Sequence, residues 1–135
     1  MSFVVDASMT MTWCFPDEAT SAKRALLRQL RRSSAYAPAI WILEVTNILV
    51  IAERRLRITN SQTARFTRLL GSLPITIDAD TIATAFGPVL TLARAHSLSA
   101  YDAAYLELAM RQGLPLATLD TRLRAAASSV GVSLI

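Results

Sequence analysis

The 135-residue sequence has one cysteine, Cys14. An internal disulfide is therefore excluded, and a reducing compartment is the expectation. A lone cysteine in the apolar stretch 9–15 reads as core rather than as a nucleophile. One histidine, His96, leaves no Cys/His set for zinc; it reads as an ordinary helix-end residue. Lysine is nearly absent too: Lys23 is the only one among 14 basic residues. The net charge of +4 and the pI of about 10.0 are thus carried by arginine. Its planar fork suits phosphate, and a basic balance favours polyanions, although a solvated basic face accounts for the same charge. The N-terminus has no basic region ahead of its apolar run, and Asp6 interrupts that run, so it does not read as a signal peptide. The most apolar window, 35–52, contains Pro38, Glu44 and Asn47, which argues against a membrane span. The expectation is a cytoplasmic protein without membrane contact.

No linker, internal repeat or low-complexity segment divides the chain, so residues 1–135 read as one domain. Hydrophobic residues make up 53% of the chain and the mean hydropathy is +0.38. That is apolar for a monomer of this size and points to surface that faces a partner.

Short apolar runs alternate with helical patterns. Residues 2–6, 36–40, 75–77, 116–119 and 132–135 read as about five strands. Helices are expected over 9–15, 18–32, 41–55, 62–73, from Asp78 or Asp80 to His96, from about 99 to 112, and over 121–130. In 18–32, Ala19, Ala22, Leu26, Leu27 and Leu30 form the apolar stripe. Gly113 and Pro115 stop the helix that carries Asp102. This alternation predicts a three-layer α/β/α sandwich around a parallel sheet.

Four acids share one kind of position in that scheme. Asp6 and Asp120 end strands, while Glu44 and Asp102 lie in the opening turns of helices. In a parallel α/β sheet these positions fall on one edge, where ligands bind. Each acid has a local alternative: Asp6 caps the following turn, Glu44 favours the helix dipole, Asp102 completes a capping box with Ser99, and Asp120 caps the last helix. Yet the chain has only ten acids, and four of them fall at such sites among apolar neighbours. Glu44 is the most telling, set in an apolar run where a carboxylate is costly unless satisfied. Crowded carboxylates repel, and a cation relieves them. An all-oxygen set selects Mg²⁺ or Mn²⁺ rather than zinc. The implied chemistry is hydrolysis of a nucleic-acid backbone.

The segments Val4-Val-Asp6-Ala-Ser8, Ile42-Leu-Glu44-Val-Thr-Asn47, Ala100-Tyr-Asp102-Ala-Ala-Tyr-Leu and Ala117-Thr118-Leu-Asp120 resemble the four motifs of PIN domains. The likeness is to VapC-type toxins of toxin–antitoxin pairs, and it extends over essentially the whole chain. It implies a Mg²⁺- or Mn²⁺-dependent endoribonuclease with Asp6, Glu44, Asp102 and Asp120 as catalytic and metal-binding acids. It also implies Ser8, Asn47 and Thr118 as residues that support them by hydrogen bonding. The partners it implies are RNA, a cognate antitoxin and a second copy in a homodimer. Two arginine groups, Arg28, Arg31 and Arg32 at one helix end and Arg54, Arg55 and Arg57 at another, are the candidate RNA contacts. Ile48, Leu49, Ile51, Ala52, Phe66, Leu69 and Leu70 are the candidate partner surface, with Leu69 the one best explained as core filling. Two other readings stay open: a phosphoacceptor signalling domain, and a non-catalytic RNA-binding module.

Overall fold

The computed structural model describes residues 1–15, 17 and 20–135. Four short strands, β1 (Phe3–Val5), β2 (Ala35–Ala37), β3 (Ile75–Ile77) and β4 (Leu116–Ala117), form an all-parallel sheet in the order β3-β2-β1-β4. The chain leaves β1 towards β2 and β3, then returns to place β4 on the other side of β1. The strand order therefore switches between β1 and β4, which is where such sheets form a crevice at their carboxyl edge.

Eight α-helices accompany the sheet among the described residues: α1 (Ala7–Met11), α2 (Ser21–Gln29), α3 (Ile40–Arg54), α4 (Asn60–Ser72), α5 (Thr81–Thr84), α6 (Leu90–His96), α7 (Ala100–Gln112) and α8 (Thr121–Ser129). Alternation along the strands splits the core. Phe3, Val5, Ala35 and Ala117 pack against Met9 and against Leu26 and Leu30 of α2. Val4 and Leu116 pack with Tyr105, Leu106 and Leu108 of α7 and Leu123 and Ala127 of α8. Helix α7 is buried continuously from Ala103 to Ala109. Gly113, in the left-handed region at φ 64°, ends it.

Four expectations are corrected. The segment 132–135 is reduced from a strand to a single parallel bridge, Leu134 opposite Leu116, with the Leu116 amide donating to the Ser133 carbonyl and the Ile135 amide to the Leu116 carbonyl, while the Val132 amide closes the end of α8 on the Ala127 carbonyl. Helix 18–32 is shorter, opening at Ser21 under a Thr20 cap; Ala22 is exposed, while Pro16, Glu18 and Ala19 lie outside the described residues. The first helix begins earlier than 9, because Asp6 accepts from the Met9 amide and caps it. The helix running to His96 is interrupted by a π-helical turn, Ala85–Val89, containing Pro88. Proline has no N–H to give the helical ladder, which accounts for the rearranged turn. Asp80 stands at the start of α5 without a side-chain cap hydrogen bond, and the Asp78 carboxylate accepts from the Thr81 hydroxyl at 2.9 Å and from Arg111.

Candidate active site

Asp6 follows β1 directly, and Asp120 follows β4 at the start of α8. Glu44 lies in the second turn of α3, the helix after β2. All strands are parallel, so these three acids come from the carboxyl ends of three adjacent strands centred on β1. Asp102, in the first turn of α7, completes the group.

Asp6 is only 5% exposed. Its Oδ1 accepts from the Met9 amide at 2.8 Å and from Ser8 Oγ at 2.7 Å. Its Oδ2 accepts from Ser8 Oγ at 2.9 Å and from the Thr118 hydroxyl. Those two hydroxyls are held in turn: the Leu119 amide donates to Ser8 Oγ and the Asp120 amide to Thr118 Oγ1, both at 3.1 Å. Two hydroxyls thus lock the β4–α8 connection onto the β1–α1 turn, with the Asp6 carboxylate at the centre. Asp120 also caps α8 through Oδ1, which accepts from the Leu123 amide at 2.8 Å. That capping uses one of its two oxygens. Asp102 receives help at its backbone, its amide donating to Ser99 Oγ at 3.1 Å. Glu44 Oε1 accepts from the buried Tyr105 hydroxyl at 2.6 Å, a partner 61 positions away that local sequence gave no sign of. Asn47 is exposed and makes no side-chain hydrogen bond among the described residues.

The electrostatics are those of acids held together against their preference. Burial pushes the Asp6 carboxyl above the usual carboxylate range, against its hydrogen bonds, and the Asp102 charge adds to the rise. Burial also raises Glu44, with Asp102 and Asp6 adding to it and Tyr105 opposing. Asp102 is raised by burial and by Asp120. Among the described residues, none of the four acids has an ion-pair partner. Nor do three or more acid, His or Cys side chains close into a ready-made metal cage there.

The sequence model of the PIN domain family matches residues 3–128. The chain belongs to the PIN domain family. Solved structures agree on the fold. PAE2754 from Pyrobaculum aerophilum superposes with a TM-score of 0.70 at 23% identity, covering 99% of this chain and 83% of that one. VapBC2 from Rickettsia felis, bound to a DNA fragment from its promoter, gives 0.69 at 11%, covering 100% and 98%. FitAcB from Neisseria gonorrhoeae gives 0.64 at 21%, covering 100% and 96%. No curated protein sequence matches the chain significantly.

Around the rim of this PIN domain the arginines divide. Arg28 ends α2, and Arg31 and Arg32 lead into β2, so they stand at the sheet edge where strands begin. The neighbouring Gln29 side chain reaches back to the Met1 carbonyl there. The acids stand on the opposite edge. Arg57 lies 3.8 Å over the Phe15 ring and 3.2 Å from Asp17. Arg54 and Arg55 are exposed at the far end of α3 from Glu44, roughly 15 Å along at 1.5 Å per residue. One cation that sequence reasoning passed over does reach the rim: Arg124 Nη1 donates to the Thr118 carbonyl at 3.0 Å.

The expected partner surface also divides. Leu49, Ala52, Phe66 and Leu70 are core, and Ile48 and Ile51 are partly buried. Leu69, expected to fill the core, is 37% exposed, because it lies on the α4 face turned to the cleft beside Phe15 and Arg65. A separate apolar groove of about 300 Å³ runs between α3, α4 and the edge strand β3, lined by Ile42, Val45, Thr67, Leu70, Gly71 and Ile77 among others. Elsewhere Phe86 is 95% and Ile82 79% exposed. No described helix is long and apolar enough to cross a membrane.

Proposed function

We propose that this PIN domain is a divalent-metal-dependent endoribonuclease and the toxin of a toxin–antitoxin pair. PIN domains are generally nucleases, and several structures similar to this chain are toxin–antitoxin complexes. The observation that carries the reading is the group of four unpaired, mutually repelling acids at the sheet's switch point.

The donor set fits Mg²⁺ or Mn²⁺. Every donor is oxygen, and burial together with the neighbouring acids holds three of them above their ordinary carboxylate range, where a cation would favour the ionised form. A loose group suffices, because Mg²⁺ takes one or two carboxylates and keeps several waters. Asp6 and Asp102 are the principal ligands in this reading, with Glu44 and Asp120 completing the site. When bound, the metal supplies a Lewis acid for the phosphodiester and lowers the pKa of water. The protein's share is to fix the carboxylates in advance. Ser8 and Thr118 orient Asp6, Tyr105 orients Glu44, and the caps on α7 and α8 position Asp102 and Asp120. The decisive assay is cleavage of an RNA pool by the purified chain with Mg²⁺, Mn²⁺ or EDTA. Metal-independent inertness with retained RNA binding would return the domain to a non-catalytic RNA-binding module.

RNA is expected to leave the acids along α3. Reversing Arg54 and Arg55 to glutamate should flatten the log–log salt dependence of RNA affinity by about 1.4, at about 0.7 per phosphate contact. Reversing Arg28, Arg31 and Arg32 should leave affinity unchanged, since they face the other edge. The opposite pattern, read by filter binding over a salt series, would reassign the track.

The α3–α4–β3 groove suits an apolar segment of the cognate antitoxin, and the exposed Ile82 and Phe86 suit a second copy of the chain. A Cβ built at Gly71 meets nothing within 4 Å, so a side chain can start there, and Gly71→Trp is designed to fill the groove that this residue lines. This variant should lose antitoxin capture by at least about tenfold yet sediment as a homodimer and cut RNA normally. Undiminished capture would place the antitoxin elsewhere.

A further inference from the structure

Tyr105 is not an acid, binds no expected ligand and would pass as core. It is 1% exposed and the bulkiest of the fully buried side chains. A phenylalanine would fill the same space, so packing alone gives no reason for the hydroxyl. A buried phenol must find a hydrogen-bond partner, and this one donates to Glu44 Oε1 at 2.6 Å. Tyr105 sits one turn after Asp102 on α7, so one side chain joins two site segments: α3 through Glu44, and α7 through its own backbone.

Glu44 has no other side-chain partner among the described residues. A half-buried glutamate with three rotatable bonds and one tether takes its direction from that tether. With Oε1 engaged by the phenol, the second oxygen is left for the rim. Resting on the nuclease reading above, we propose that Tyr105 is a positioning residue for the acid site. Its hydroxyl holds Glu44 in the rotamer that faces Asp6 and Asp102 before any cation binds.

The test is Tyr105→Phe, which keeps the ring and removes one oxygen. Mn²⁺ affinity is measured by electron paramagnetic resonance on the RNA-free protein, alongside kcat, KM for a short RNA, and the melting temperature. Loss of an outer-shell partner typically costs 10–100-fold in metal affinity or activity. The expected result is Mn²⁺ affinity and kcat both lowered by at least about tenfold, with KM and melting temperature unchanged. Mn²⁺ affinity and kcat within twofold of the wild type would overturn the proposal. So would a variant whose losses come with a collapsed melting transition, since the hydroxyl would then be structural. A wild type that neither binds Mn²⁺ nor cuts RNA defeats the nuclease reading itself. Wild-type binding matched by the variant defeats only the role of Tyr105.

Discussion

Asp102→Asn is expected to lower RNA cleavage by at least about 100-fold without loosening the fold. The metal's Lewis acidity is worth several kcal/mol of charge stabilisation, and each 1.4 kcal/mol is about tenfold in rate. The amide keeps the shape of the side chain but cannot supply the charge. Stability should move the other way. Burial and Asp120 raise the Asp102 carboxyl in the folded protein above its unfolded value. A carboxyl raised by folding binds its proton more tightly in the native state, so its ionisation costs stability as pH climbs through that range. The wild type carries this cost at neutral pH. The asparagine does not, although it forgoes the favourable placement of an anion in the first turn of α7. The melting temperature of the metal-free variant at pH 7 should therefore equal or exceed that of the wild type. The gap should close below about pH 4, where the aspartate is protonated in the unfolded chain as well. Asp6→Asn should be equally inactive but gain less, since the amide competes with the three donors that Asp6 accepts. Full cleavage by Asp102→Asn would remove it from the site.

The parts of this protein that sequence made legible are those encoded locally. The spacing of apolar residues marks α4, although its Thr59–Gln62 capping box starts it at Asn60 rather than at 62, and the apolar run 75–77 gives β3. The candidate acids are visible because strand ends and helix starts can be read from nearby residues, and parallel topology then puts them on one edge. What local pattern could not supply were partners remote in sequence. Tyr105 reads as apolar surface on a helix that is buried all round; only the tertiary fold brings Glu44 to it. The π-turn was missed for a related reason. Gly87 and Pro88 warn of a break, but a helix held in place by its neighbours can absorb a proline by rearranging one turn. The terminal strand shrank to one bridge because its first residue, Val132, closes α8, leaving only 133–135 to meet Leu116.

Arg111 is the largest omission of that kind, and its removal should be strongly destabilising. It lies near the end of α7, where a basic side chain ordinarily serves the helix dipole. In the fold its guanidinium is shared among three acids. Nε donates to Glu107 Oε1 and Nη2 to Asp78 Oδ2, each at 2.7 Å, and Asp80 stands 3.7 Å from Nη1. The Asp78 and Glu107 side chains are 6% and 7% exposed, so both carboxylates depend on this one cation. Replacing one partner of a buried pair leaves the other charge uncompensated, at about 3 kcal/mol or more. Arg111→Met, which keeps the aliphatic stem, should thus lower the melting temperature by about 10 °C at pH 7. The pH dependence identifies the cause. Arg111 holds the Asp78 carboxyl below its ordinary value. A carboxyl lowered by folding contributes stability that is present above its unfolded pKa and lost as pH falls through the folded one. The methionine variant lacks that contribution, so its deficit should be full at neutral pH and shrink steadily below about pH 4. Asp78→Asn in the Arg111→Met background should recover part of the loss at pH 7, because it removes one of the stranded charges. A deficit that stays constant from pH 7 to pH 3 in thermal melts would show that Arg111 matters for packing rather than for the carboxylates it joins.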